Sequence, residues 1–113
     1  MTDVVITGLG ATTPLGGDLS STWSALLAGR SGIVALTEDW AAPLPVRIAG
    51  LCAEDPAAKI DRVKARRMDR STQVAVVAAD EAWRDAGYSY AENEVDRDRL
   101  AVIFGSGIGG LQS

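Results

Sequence analysis

The chain has 113 residues, 47% of them hydrophobic and 23% charged, and a net charge of −4. That length suits one domain with a single modest core, and no apolar run approaches the roughly 20 residues of a membrane span. Histidine is absent and Cys52 is the sole cysteine, which excludes an internal disulfide and the usual cysteine or mixed zinc sites, so neither metal nor cofactor is expected. The opening Met-Thr-Asp carries no basic leader, and the expectation is a soluble, cytoplasmic protein.

Val4 to Gly8 is a short β-branched run ending in glycine and reads as a buried strand, followed by a loop from Leu9 to Gly17. Asp18, Ser20 or Ser21 can cap a helix over about Ser20 to Ala28, with Trp23, Leu26 and Leu27 at helical spacing and Gly29 at its C-terminal stop. Ser31 to Pro45 has no period and reads as connecting structure, whereas Val46 to Leu51 alternates weakly as a second strand. Asp55-Pro56 opens a short helix toward Val63. Asp69 to Ala86 is the longest helical stretch, ended by Gly87. Its stripe of Ala75, Ala78, Ala79, Ala82, Trp83 and Ala86 implies a neighbour at close range. Leu100 to Phe104 is an unbroken apolar run, read as a strand buried on both faces and entering the glycine loop Gly105 to Gly110. The order of elements points to a layered α/β arrangement.

Two glycine motifs invite comparison with phosphate-binding loops. Gly8-Leu9-Gly10-Ala11-Thr12-Thr13 lacks the third glycine, and Pro14, Gly16 and Gly17 keep a helix from starting there, so a phosphate would meet no helix dipole. Gly105-Ser106-Gly107-Ile108-Gly109-Gly110 satisfies the dinucleotide pattern literally, without the helix and acidic residue that would support it. A nucleotide-binding α/β domain stays a remote alternative.

Lys59 to Arg70 holds six basic residues (Lys59, Arg62, Lys64, Arg66, Arg67 and Arg70) against Asp61 and Asp69, a local charge of +4 on a chain whose remainder carries −8. Arg62, Lys64, Arg66 and Arg67 would form a positive patch that attracts an anionic partner, or else a solvated surface paired with local carboxylates. Nucleic acid fits poorly, because the overall charge is negative and no aromatic residues interleave the patch. Cys52 has no histidine to activate it and reads as a small packed hydrophobe. Asp80 and Glu81 point to different parts of a helix face and read as solvated carboxylates.

Three segments in order resemble the beta-ketoacyl-[acyl-carrier-protein] synthases: Thr7-Gly8-Leu9-Gly10 through Gly29-Arg30-Ser31-Gly32-Ile33, Arg66-Arg67-Met68-Asp69, and Gly105 to Gly110. The elongating type II synthases of fatty acid synthesis fit best, with polyketide ketosynthases and their non-catalytic chain-length partners close behind. The resemblance implies a thiolase-like α/β fold, homodimeric when complete. Residues 1–113 would form the N-terminal part of the first layered half, in a chain several times longer. It implies that Gly107, Ile108 and Gly109 approach the acyl channel, with Ile108 lining it, against the alternative of an ordinary core isoleucine beside a bulging loop. It further implies that Arg62, Lys64, Arg66 and Arg67 dock an acidic acyl carrier protein. No catalytic residue is expected in this chain, since the family's chemistry uses a cysteine and two histidines at later positions. A non-catalytic carrier-binding module is the alternative function.

Overall fold

The computed structural model describes residues 2–90 and 95–110. Three α-helices, three 3-10 turns and one two-stranded antiparallel sheet make a mixed helix and strand arrangement. Helix α1 spans Leu19–Leu27, strand β1 Ile33–Ala35, strand β2 Ile48–Gly50, helix α2 Arg62–Ala65 and helix α3 Arg70–Asp85.

Helix α1 starts where a capping box can form: Asp18 accepts from the Ser21 backbone N–H at 2.8 Å, and Ser21 Oγ accepts from the Asp18 N–H. It stops through a Schellman motif, in which the Arg30 N–H reaches the Ala25 carbonyl and Gly29 takes a φ of +66°. Helix α3 ends the same way: the Tyr88 N–H reaches the Trp83 carbonyl, Gly87 has a φ of +85°, and the Trp83 and Tyr88 rings pack with centroids 4.9 Å apart. Both long helices therefore lie within a residue of their expected bounds.

The packing that organises the chain is an extended segment laid against α3. A side-chain carbon on Gly8 would stand 2.6 Å from the Ala86 nitrogen, and one on Gly10 would stand 2.8 Å from the Ala82 nitrogen. Nothing larger than glycine fits between these two backbones. The same approach lets Asp85 accept from the Leu9 N–H and Glu81 from the Ala11 N–H, both at 2.9 Å. Two residues of extended chain advance about 6.6 Å and one turn of helix about 5.4 Å, so every second residue of the segment meets every fourth residue of α3. The alanine stripe thus has the close neighbour its composition implies. Glu81 also accepts from the Leu19 N–H at 2.8 Å, so one carboxylate holds both the end of the segment and the first turn of α1.

Between those anchors Thr13 closes a tight turn with Gly16, pairs its hydroxyl with Thr22 at 2.9 Å, and accepts from the Ala53 N–H through its carbonyl. Pro14 lies against Gly32 and Gly50, which seats the β1–β2 pair on the turn. That pair has Ile33 opposite Gly50, Val34 opposite Ala49 and Ala35 opposite Ile48.

Several expectations are corrected. Val4 to Gly8 is extended but joins no strand, and Val4, Val5 and Ile6 are 93%, 74% and 81% exposed rather than buried. Leu100 to Phe104 likewise forms no strand among the described residues, with Val102 75% and Ile103 90% exposed. Both runs carry strand composition, but each lacks a hydrogen-bonding neighbour among the described residues, and a ladder needs two. Ser31 to Pro45, expected as pure connection, contributes β1, because its short β-branched run finds β2 as partner. The helix from Asp55 is interrupted: a 3-10 turn over Pro56–Lys59 ends at extended Ile60, and Asp61 caps α2 afresh through the Val63 and Lys64 N–H groups. Trp23, Leu26 and Leu27 are exposed, and Ala25 is the one buried residue of α1.

The fully packed apolar residues are small: Ala25, Ala41, Ala65 and Val77, together with Pro56. The radius of gyration is 16.9 Å, against about 13 Å for a compact domain of this length. Among the described residues no helix is long and apolar enough to cross a membrane. Replacing Gly10 by valine should force α3 and the segment apart at a cost of about 1–3 kcal/mol. Denaturant unfolding of Gly10→Val beside the surface control Ser24→Ala checks this, with a lowered midpoint expected only in the former.

Candidate functional site

The basic segment is built by two caps in succession. Asp61 starts α2, Arg66 closes it, and Arg67 and Met68 turn the chain into α3 at Asp69. The turn divides the six basic residues into two groups. Lys59 is tied back to the chain, donating to the Gly17 carbonyl at 2.6 Å and pairing with Glu54 at 3.2 Å. Arg70 pairs with Asp55, which itself caps the preceding 3-10 turn through the Ala57 N–H. Arg62, Lys64, Arg66 and Arg67 are exposed, and their side chains form no ion pair or hydrogen bond among the described residues. Four unneutralised cations within six residues leave a concentrated positive field beside an otherwise acidic body.

The glycine loop lies at the same end of α3. Asp69 makes no side-chain cap bond to α3, and its carboxylate instead packs against the Gly110 backbone, where a Cβ would meet it. Within the loop the Ser106 hydroxyl accepts from the Gly109 N–H at 2.9 Å, and Gly109 needs its glycine for a φ of +79°. Side-chain carbons built on Gly105, Gly107 and Gly109 would meet nothing, so the loop presents open backbone. Ile108 is 76% exposed. No helix begins after Gly8-Leu9-Gly10 until Leu19. The first pair of glycines serves helix contact instead of a phosphate.

Cys52 is half-buried rather than packed. Asp80 pairs with Arg84 at 3.2 Å along the helix, as a solvated carboxylate does. Glu81 departs from that expectation by binding two backbone N–H groups. The sequence carried a usable signal for Glu81 and Asp85: two acids four residues apart, bordering the alanine stripe on which the glycine segment lies. No group of three or more Cys, Asp and Glu side chains able to hold a metal occurs among the described residues.

All 113 residues match the family described as beta-ketoacyl synthase, N-terminal domain. The chain belongs to that family. It is 46% identical over 114 aligned residues to 3-oxoacyl-[acyl-carrier-protein] synthase 2 of Staphylococcus aureus (strain COL), covering 97% of this chain and 26% of the relative. The synthase of the same name from Coxiella burnetii (strain RSA 493 / Nine Mile phase I) is 43% identical over 109 residues, covering 96% of this chain and 26% of that relative. The beta-ketoacyl synthase chain therefore spans about a quarter of the length of the curated relatives it matches.

Two carboxylates at the borders of the basic segment are held below their ordinary value of 3.8. Asp55 is lowered first by the hydrogen bond from Arg70 and then by the Ala57 N–H. Asp18 is lowered first by the Ser21 hydroxyl and then by the Ser21 N–H. A carboxylate whose folded pKa lies below its unfolded one contributes stability above the unfolded value and loses it as pH falls through the folded one. Thermal unfolding followed between pH 6 and about pH 3 should therefore show an Asp55→Asn deficit at the upper end that shrinks toward the lower end.

Proposed function

We propose that the chain supplies the carrier-docking surface and part of the acyl-binding surface of a beta-ketoacyl-[acyl-carrier-protein] synthase. One observation carries this reading: Arg62, Lys64, Arg66 and Arg67 stand free on a single turn while the neighbouring cations are consumed internally. Such a patch suits an acidic partner delivered as a protein, because its field raises the encounter rate and aligns the approach. The family match over the whole chain, and the relatives named as 3-oxoacyl-[acyl-carrier-protein] synthase 2, support an acyl carrier protein as that partner. Gly107, Ile108 and Gly109 support the second half of the proposal, since open backbone beside an exposed isoleucine offers an apolar wall that an acyl chain can lie along.

The reaction so served is a decarboxylative condensation. An acyl group passes from the carrier's thioester to a cysteine thiolate, and the carrier leaves as a thiol. Malonyl-carrier protein then loses carbon dioxide, the electron pair left on its α-carbon attacks the acyl-cysteine carbonyl, and collapse of the tetrahedral oxyanion expels the thiolate. Splitting acyl transfer in this way replaces one difficult step by two easier ones. The activating histidines have no counterpart here, because the sequence contains none. The contribution of residues 1–113 is accordingly binding and placement. Under the same reading the chain is the N-terminal portion of a thiolase-like layered half, and the complete synthase is homodimeric.

Titration of the chain with acyl carrier protein at low ionic strength should show binding that weakens steeply with added salt. Arg66→Glu combined with Arg67→Glu should abolish it, and unchanged affinity would contradict the docking assignment. Incubation with labelled acyl-carrier protein should leave no label on Cys52.

A further inference from the structure

Helix α2 has four residues, whereas an isolated helix shorter than about 12 residues is marginal in water because its nucleation is costly. Groups outside the helix therefore hold the turn that carries Arg62, Lys64, Arg66 and Arg67. Asp61 serves the N-terminal end, accepting from the Val63 and Lys64 N–H groups at 3.1 Å each. At the other end the Gln73 side chain crosses from α3: its Nε2 donates to the Ala65 carbonyl at 2.9 Å and to the Met68 carbonyl at 3.4 Å. Ala65 is the last residue of α2, and Met68 precedes the Asp69 N-cap of α3, so one amide spans the connection between the two helices. Its Oε1 accepts from Arg70 at 3.3 Å, and Arg70 is paired with Asp55 at the start of the Pro56–Lys59 turn. Both ends of the amide are thus engaged. A glutamate of the same shape would set a carboxylate against two carbonyls, and a methionine would offer neither donor nor a strong acceptor.

We propose that Gln73 is a positioning residue of the carrier-docking surface, fixing the shape of residues 62–67 before the carrier arrives. The inference rests on the docking assignment and adds to it a residue that carries no charge. Gln73 is half-buried and underlies that surface: with Arg62, Ala65 and Arg66 it lines a hollow of about 420 Å³ between α2 and the preceding 3-10 turn. Ordering a loose backbone at the moment of binding subtracts from affinity, and a turn fixed beforehand avoids that subtraction. Charge acts on a different step. The field of the four cations reaches the carrier from a distance and sets the rate of encounter, whether or not the turn is rigid. Residence depends on short-range fit, which a mobile turn degrades. The cations therefore govern how quickly the carrier comes, and Gln73 governs how long it stays.

Stopped-flow mixing of the chain with acyl carrier protein at low ionic strength tests this on Gln73→Met, which keeps the length of the side chain and removes its amide. Dissociation should quicken about tenfold, the loss expected from two hydrogen bonds of ordinary strength. The association rate and its dependence on salt should stay as in the unaltered chain, because every charge is still present. In the free variant the backbone order parameters of Arg66 and Arg67 should fall from about 0.85 to below about 0.6, with those of residues 77–82 unchanged. Gln73→Asn keeps the amide but falls one methylene short of both carbonyls. It should behave in the same way, and it decides the matter if Gln73→Met does not fold. An unchanged dissociation rate, undiminished order at Arg66 and Arg67, or loss of the fold in both variants would each overturn the proposal. An unaltered chain that binds no carrier would overturn the docking assignment and this role with it, whereas normal binding by the unaltered chain beside unchanged dissociation in the variants would overturn this role alone.

Discussion

Glycine at positions 8 and 10 allows an extended backbone to touch a helix backbone, and most other placements in the chain follow from that contact. With the segment this close, its N–H groups reach carboxylates on α3, Leu9 to Asp85 and Ala11 to Glu81. Glu81 then fixes the start of α1, and the intervening turn at Thr13 and Pro14 seats the β1–β2 pair. A half-buried carboxylate accepting two backbone N–H groups is a strong arrangement, because charge-assisted bonds are stronger than neutral ones and the donors would otherwise lie unsatisfied. Among the described residues these bonds join elements whose fully buried side chains are small.

The two long helices were legible, as was the strand expected over Val46 to Leu51, which holds Ile48–Gly50, whereas the other strands and the helix from Asp55 were not. The bounds of α1 and α3 follow from capping residues and C-terminal glycines only a few positions away, so sequence carries all the information they need. A strand exists only with its neighbour. Val4 to Gly8 and Leu100 to Phe104 have strand composition but no ladder partner among the described residues, while the unpromising Ile33–Ala35 becomes a strand because Ile48–Gly50 lies opposite. The same reason left Glu81 misread, since its partners are 62 and 70 residues away in sequence.

The candidate site was legible in a different degree. Charge counting located the basic segment, and the side-chain geometry then showed Lys59 and Arg70 paired within the chain and Arg62, Lys64, Arg66 and Arg67 without a partner among the described residues. No pattern of charge in the sequence separates those groups, because the separation depends on Gly17, Glu54 and Asp55 lying nearby. The glycine loop was found by its motif, and its meeting with Asp69 at the start of α3 brings it to the same end of the helix as the cations.

The central claim, that the glycine segment is in backbone contact with α3, is tested most directly by nuclear Overhauser measurements on the isotopically labelled chain. The account predicts cross-peaks from the Gly8 α-protons to the Ala86 methyl and from the Gly10 α-protons to the Ala82 amide proton, at the intensity of protons in van der Waals contact. A helical Arg70–Asp85 with no cross-peak between either glycine and the Ala82 amide proton or the Ala86 methyl would contradict it.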